Sequence, residues 1–131
     1  FEGASLQIKL KYLESWNSRR HEIARRYQYE IDNAQIKWQA QPLWAQSVYH
    51  LFVITTNDRE DLLNYLNQHH IYPGLHYPVP CHLQKAYKQL NYQLGDCPNA
   101  EYLAGHCLSL PMYAELTYNE VSYIIDVLNR Y

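Results

Sequence analysis

The sequence predicts an α+β fold, in which a small sheet of about three strands packs in layers against helices and follows a long N-terminal helix. Three patterns predict it: an apolar stripe at helical spacing over residues 1–31, a β-branched and aromatic run at 47–56, and a capped amphipathic segment near the C-terminus. The 131 residues match the length of one ordinary domain. We therefore predict a single domain over 1–131, with a linking helix over 1–34 and an α/β sandwich over 47–131.

The N-terminal helix is predicted by apolar side chains that recur in steps of three, four and seven residues and so share one stripe. The stripe consists of Leu6, Leu10, Leu13, Trp16, Ile23, Tyr27 and Ile31. A helix of about eight turns is long for a small domain, so we expect it to brace another part of the protein. Because the sequence starts in mid-pattern without methionine, we also expect a fragment of a longer protein. A polar, irregular connection containing Trp38, Pro42 and Trp44 follows.

The clearest strand is predicted at residues 47–56, which are dense in β-branched and aromatic types. The centre of this run, Leu51–Ile54, is apolar without alternation, so we expect both faces of the strand to be covered. Asn57, with Glu60 three residues later, predicts the start of a helix that ends near His69. This strand and helix form the beginning of the predicted sandwich.

The C-terminal part of the chain alternates helix and strand. Pro98 suits the first turn of a short helix that ends near His106, and residues 107–110 predict an apolar strand that Pro111 stops. The sequence Thr117-Tyr118-Asn119-Glu120 is a capping box and predicts the start of the last helix. The buried face of that helix is predicted to consist of Val121, Ile124, Ile125 and Leu128.

Composition favours a globular protein that does not bind nucleic acid. Apolar residues make up 47% and charged residues 18%, which argues against disorder, and the net charge of -2 provides no basic field. A local basic cluster is interleaved with Glu22 and Glu30 at the spacing of a solvated helix face, and consists of Arg19, Arg20, Arg25 and Arg26. The 14 tyrosines suit half-buried surfaces that face a larger domain, a partner or a ligand.

The cysteines and the hydropathy pattern predict a cytoplasmic location. Cys81, Cys97 and Cys107 are odd in number and unclustered, which is typical of free thiols in a reducing compartment. No apolar run approaches the roughly 18 residues that cross a bilayer, and no signal-peptide pattern is recognisable. We therefore expect a protein of the cytoplasm that does not bind membranes.

The candidate site lies in a stiff polar segment. Ile71–Tyr77 predicts a short strand or an extended run, Pro78 and Pro80 then hold the backbone extended, and residues 83–90 predict one or two helical turns. Imidazole and phenol groups on a stiff segment are typical of walls that contact ligands. The alternative is a proline-stiffened turn whose histidines are merely hydrogen-bonded.

Two further chemistries use residue types that occur here. Four of the five possible zinc ligands form adjacent pairs, which lack the usual spacers of about two to four residues. The pairs are Cys81-His82 and His106-Cys107, and the fifth residue is Cys97. The same residues could supply a cysteine–histidine nucleophile, although no surrounding motif supports one. The glycines are scattered and form no phosphate-binding loop. We therefore expect no metal site.

Motifs along nearly the whole chain occur in the order found in one known family. The first helix carries Glu2-Gly3-Ala4, Lys9-Leu10, Leu13, Trp16-Asn17, Arg19-Arg20, Ala24 and Tyr27. A strand at 49–54 and a helix at 58–67 precede Gly74, His76, Tyr77, His82 and Gln84. The ending carries Pro98, Ala100-Glu101, Leu108-Ser109-Leu110-Pro111, Leu116-Thr117 and Glu120-Val121. Together these motifs resemble the C-terminal small domain of the DegT-type sugar-nucleotide aminotransferases.

The resemblance implies a homodimeric enzyme of fold type I that uses pyridoxal 5'-phosphate. Such an enzyme moves an amino group from an amino acid, commonly glutamate, to a keto-sugar nucleotide, in polysaccharide or secondary-metabolite sugar biosynthesis. In the family the Schiff-base lysine belongs to the large domain, so the resemblance implies no catalytic and no cofactor-binding residue here. The chain would pack against its own large domain and be inactive alone.

The residues that the resemblance carries over as contacts to the sugar nucleotide, or to the surroundings of the cofactor, are His76, Tyr77, His82 and Gln84. Cys81 departs from the family, in which an aliphatic residue is more usual. Two alternatives stay open. The chain could be a non-catalytic binding or regulatory module that retains this fold. It could also belong to a dehydratase of the same family, in which a histidine replaces the cofactor lysine.

Overall fold

The structure is a computed structural model that describes residues 2–131; Phe1, the first residue of the predicted N-terminal helix, lies outside the described residues. The helices are α1 (Glu2–Leu10), α2 (Leu13–Glu30), α3 (Arg59–Gln68), α4 (Pro98–His106) and α5 (Tyr118–Arg130). The strands are β1 (Lys37–Trp38), β2 (Phe52–Thr55) and β3 (Cys107–Leu110), and two 3-10 turns lie at Cys81–Leu83 and Lys85–Leu90. The predicted α+β fold with a small sheet of three strands is confirmed.

Contacts within the chain divide it into two compact units. The first unit comprises the residues up to Asn33 together with Ala40–Phe52 and Pro111–Tyr131. The second comprises Ala34–Gln39 and Val53–Leu110. The single domain that the sequence suggests stays a prediction. None of the helices in residues 2–131 combines the length and the apolar character that crossing a membrane requires.

In the first unit, the predicted N-terminal helix is interrupted after Leu10. The amides of Lys11 and Tyr12 donate to carbonyls three residues back, at 3.2 and 3.0 Å, and this tightened turn separates α1 from α2. The prediction of one continuous helix was therefore wrong at this point. Leu10 and Leu13 are three residues apart, a step that an α-helix and a tighter 3-10 turn both accommodate, so the apolar spacing could not reveal the break.

The core of the first unit lies between α2 and α5, which pack against each other. Its buried residues are Ile23, Ala24 and Tyr27 of α2 and Val121, Ile124, Ile125, Val127 and Leu128 of α5. The predicted face of α5 is thus confirmed, and so is its capping box, because Thr117 Oγ1 accepts from the Glu120 amide and the Glu120 carboxylate accepts from the Thr117 amide. The early part of the N-terminal stripe differs: Leu6 is 60% exposed and Leu10 64%.

The sheet has the order β1-β2-β3, and β1 pairs antiparallel with β2 in a register that sets Lys37 opposite Thr55. The sequence predicted an irregular connection where β1 lies, because a strand of two residues is too short to carry a pattern. β2 starts at Phe52 and not at residue 47 as predicted. The reason is Tyr49, whose φ of 49° lies in the left-handed region and ends the extended conformation there.

In the second unit, α3 packs against β3 and buries Leu62 and Leu66. The cap of α3 is Asp58 and not Asn57 as predicted, since the Asp58 carboxylate accepts the amide of Asp61 at 3.0 Å. Asparagine and aspartate cap helices about equally well, so the sequence could not choose between two neighbours. The bounds of α4 and β3 agree with the prediction.

Candidate functional site

The four predicted site residues lie in the second unit, on a segment that has no buried residue between positions 72 and 103. Tyr77 is 70% exposed and Gln84 is also exposed, whereas His76 and His82 are half-buried. The rings of His76 and Tyr77 meet edge to face, with centroids 5.5 Å apart. The segment therefore presents a phenol and an amide to its surroundings, with an imidazole directly beside the phenol.

His76 is tied to strand β3 through Ser109. The amide of Gly74 donates to the Ser109 carbonyl at 2.9 Å, and the Ser109 amide donates back to the Gly74 carbonyl at 2.8 Å. Nδ1 of His76 lies 2.9 Å from the Ser109 hydroxyl oxygen. Since Ser109 is 3% exposed, the imidazole supplies a hydrogen bond to a buried polar group. This bond fixes the ring that stands beside Tyr77.

Gly74 makes room for the His76 ring. A Cβ atom at position 74 would lie 2.9 Å from Nδ1 and 3.3 Å from Nε2 of His76, and it would overlap Cε1. A side chain at position 74 would therefore require the imidazole to shift from the place where it meets Ser109. In the sequence the Gly-x-His spacing only supported a resemblance; the structure gives it a physical reason.

His82 is held by Glu101, in the first turn of α4. Nε2 of His82 lies 2.9 Å from Oε1 of Glu101, and the two side chains are 8% and 15% exposed. The same carboxylate accepts the amide of Gly95 at 2.9 Å on both oxygens and the amide of Cys97 at 3.1 Å. The Glu101 carboxylate thus accepts hydrogen bonds from three residues. An edge-to-face contact with Tyr92, with centroids 6.0 Å apart, completes the surroundings of the His82 ring.

Hydrogen bonding determines the ionisation of Glu101. Desolvation favours the protonated acid, but the amides of Cys97 and Gly95 and the side chain of His82 together outweigh it and lower the pKa of Glu101 below its usual value. Glu101 is therefore a carboxylate at neutral pH and can only accept hydrogen bonds. No sequence pattern considered above indicated this role. A glutamate in the first turn of a helix that opens with proline is the pattern that could have indicated it.

The cysteines do not form the groups considered from the sequence. Cys81 is exposed, Cys97 is half-buried and Cys107 is buried, and all three are free thiols. Desolvation raises the pKa of Cys107, which keeps the thiol protonated and opposes a role as a nucleophile. In the part of the chain that the structure describes, no three His, Cys, Asp or Glu side chains are grouped so that they could hold a metal ion.

The lysines do not fit the covalent attachment of pyridoxal phosphate. A lysine that forms a Schiff base is activated by a desolvated pocket or by a neighbouring cation. All of the lysines in this chain are exposed: Lys9, Lys11, Lys37, Lys85 and Lys88. We assign no step of cofactor chemistry to these residues.

Comparison with known proteins decides the family. The profile of the DegT/DnrJ/EryC1/StrS aminotransferase family matches residues 1–129. The chain belongs to this family. Its sequence is 38% identical over 128 residues to the erythromycin biosynthesis sensory transduction protein EryC1 of Saccharopolyspora erythraea, covering 97% of this chain and 35% of that protein.

Two further similar proteins give the same coverage. The dTDP-3-amino-3,6-dideoxy-alpha-D-galactopyranose transaminase of Aneurinibacillus thermoaerophilus is 36% identical over 130 residues, covering 99% of this chain and 35% of the enzyme. The solved structure of S. venezuelae DesV in complex with a ketimine intermediate superposes with a TM-score of 0.93 at 34% identity, covering 97% of this chain and 34% of that one. The chain spans about a third of the length of the relatives it matches.

Proposed function

We propose that this chain is the C-terminal small domain of a pyridoxal-phosphate-dependent aminotransferase, which transfers an amino group from an amino acid such as glutamate to a keto-sugar nucleotide. The observation that carries the proposal is the likeness to DesV, with a TM-score of 0.93 at 34% identity over 97% of the chain. The transaminase that is 36% identical supports the same activity. The product would be an amino-sugar nucleotide for polysaccharide or secondary-metabolite biosynthesis.

The part of this chain in the reaction would be to contact and orient the sugar nucleotide. The residues we assign to it are His76, Tyr77, His82 and Gln84. A phenol that is 70% exposed can donate to and accept from sugar hydroxyls, and the bond from His76 to Ser109 fixes the ring beside it. Pyridoxal phosphate would supply the electron sink for amino transfer. It would be held by residues outside this chain, which would be inactive alone.

The enzyme that contains this chain would be a homodimer in the cytoplasm. Three free thiols support a reducing compartment. Exposed apolar side chains support further packing, within one subunit against the large domain or between subunits. Light scattering on the full-length gene product measures the subunit number, and a monomer would exclude the dimer.

Transfer of an amino group can be tested directly on the full-length gene product. We would incubate it with pyridoxal phosphate, 2-oxoglutarate and dTDP-3-amino-3,6-dideoxy-alpha-D-galactopyranose, and measure glutamate by mass spectrometry. Since transamination is reversible, a member of this class produces glutamate and a keto sugar. Loss of water from the sugar nucleotide without glutamate would indicate a dehydratase and overturn the proposal.

A regulatory module is the second candidate. It is favoured by the name of the relative that is 38% identical, a sensory transduction protein. A gene product that binds the sugar nucleotide but neither transfers an amino group nor releases water would support this candidate against the first.

The role of Tyr77 has a matched control within the chain. Tyr72 and Tyr77 are both 70% exposed. We expect Tyr77→Phe to raise KM for the sugar nucleotide about tenfold, which corresponds to about 1.4 kcal/mol of binding, and Tyr72→Phe to leave it unchanged. Equal effects of the two variants would remove Tyr77 from the site.

A further inference from the structure

We propose that Glu101 is a positioning residue, which holds His82 in one orientation and in one tautomer and thereby shapes the candidate site. The geometry of this pair stands on its own, whereas its effect on turnover rests on the function proposed above. Glu101 lies on α4, further along the chain than the last of the four candidate contacts, Gln84. Its influence on a substrate would therefore be exerted through His82.

The proton on the His82 ring can be placed from the identity of its partner. A carboxylate only accepts hydrogen bonds, so Nε2 of His82, 2.9 Å from Oε1, carries the hydrogen. In the neutral imidazole this leaves Nδ1 as the acceptor. Glu101 thus selects one of two tautomers that would otherwise both be populated, and it fixes which edge of the ring accepts a hydrogen bond.

The Glu101 carboxylate also holds in place a stretch of chain that packing does not stabilise. Residues 84–96 are all exposed, so burial contributes little to their conformation. At the end of this stretch, the amides of Gly95 and Cys97 donate to the Glu101 carboxylate. Just before its beginning, His82 bonds to the same carboxylate. Gly95 has a φ of 99°, a conformation that glycine adopts without strain, and this lets its amide point at the carboxylate. His82 and the start of α4 are thereby fixed to each other.

The substitution Glu101→Gln separates positioning from simple loss of bulk. The amide keeps the size of the side chain but replaces an accepting oxygen with a donor, so it cannot accept all the bonds that converge on Glu101. Glu115→Gln is the matched control, since it makes the same change of charge at an exposed glutamate. The His82→Gln variant identifies the His82 resonances by their disappearance.

The first measurement is independent of enzyme activity. In the full-length gene product labelled with 15N-histidine, at a pH high enough for the imidazole to be neutral, we expect ring shifts of His82 that correspond to protonation at Nε2 alone. Glu101→Gln should move these shifts toward a mixture of tautomers, whereas Glu115→Gln should not. Unchanged His82 ring shifts in Glu101→Gln would overturn the proposal even if amino transfer is established.

The second measurement tests whether Glu101 acts through His82. We expect Glu101→Gln to raise KM for the sugar nucleotide about tenfold and to change kcat by less than about twofold. In the His82→Gln background the same substitution should add almost nothing, since the ring that it positions is gone. Full additivity of the two substitutions would overturn the proposal. Failure of the wild-type protein to transfer amino groups, with the His82 shifts as expected, would overturn only the proposed function.

Discussion

The α2–α5 pair and the segment from residue 72 to residue 103 are held together by different forces. The pair is built on side chains removed from water, with Ile23, Tyr27 and Leu128 all at 0% exposure. The segment has no buried residue and depends on a few polar contacts to Ser109 and Glu101. The stabilisation that burial provides is roughly proportional to the apolar area removed from water, so small shifts change it little. A hydrogen bond, in contrast, weakens steeply when its distance or angle changes.

Under the function proposed above, the two regions serve different purposes. A buried core contributes most of the free energy of folding, and it does not need polar groups at defined places. A segment that contacts ligands needs polar groups at defined places and need not contribute stability. Substitutions should therefore affect the stability of the first region and the geometry of the second.

The largest effect is expected for Leu128→Ala. Removing a fully buried leucine costs about 2–5 kcal/mol of unfolding free energy, from lost transfer energy and the cavity left behind. Leu94→Ala is the control in the exposed segment, where the side chain is 80% exposed, and should change stability by less than about 0.5 kcal/mol. Urea denaturation measures both, and similar values for the two variants would show that the contrast between the regions is false.

Gly74→Ala should affect the site more than the core. The new Cβ overlaps the His76 ring, so the imidazole must shift, and we expect its bond to Ser109 to weaken or break. We expect about tenfold weaker binding of the sugar nucleotide, or about 1.4 kcal/mol, measured by calorimetry on the full-length gene product. Gly105→Ala is the control, because a Cβ there has no neighbour within 4 Å and alanine is the better helix former. Equal losses of binding would mean that the His76 ring is not the cause.

A smaller effect is expected for Tyr27→Phe. The Tyr27 hydroxyl donates to the Pro111 carbonyl at 2.9 Å, and desolvation raises the pKa of this buried phenol, so it remains a neutral donor. Removing the donor should cost about 1 kcal/mol of unfolding free energy. Tyr29→Phe, at a side chain that is 85% exposed, should cost almost nothing. A thermal unfolding series that ranks the two in the opposite order would contradict this account of the core.

The smallest effect is the response of the exposed segment to acid. The pKa of Glu101 in the folded chain lies below its usual value of 4.5, so the stabilisation it provides is complete above pH 4.5 and is lost as pH falls through the lowered value. We expect the amide resonance of Gly95 to titrate with a midpoint below 4.5. Amides in the apolar core, such as that of Leu128, should not follow this titration. A midpoint above 4.5 at Gly95 would refute the assignment of this carboxylate.

Sequence patterns predicted part of the core, for a physical reason. The buried face of α5 and its capping box follow from local periodicity, and the structure contains both. The exposure of Leu6 and Leu10 could not be predicted, because periodicity identifies an apolar stripe and not what covers it. The short strand β1 exists only through its pairing with β2, which no local pattern encodes.

At the candidate site, the sequence predicted residues but not the partners that hold them. His76 and His82 were chosen for their chemistry and for a family resemblance, and their roles as substrate contacts stay predictions. Ser109 and Glu101 were noted only as parts of motifs. The hydrogen bond from His76 spans 33 positions and that from His82 spans 19. Contacts at such separations arise from the fold, so composition and spacing cannot predict them.

The absence of buried residues between positions 72 and 103 has a consequence for engineering. A surface segment of this kind can be exchanged between family members without repacking an interior, so chimeras should fold as well as their recipients. The residues that hold the segment in place must be transferred with it or already be present in the recipient. They are Gly74, Ser109, Gly95 and Glu101. Under the function proposed above, substrate preference would then move with the segment as one unit.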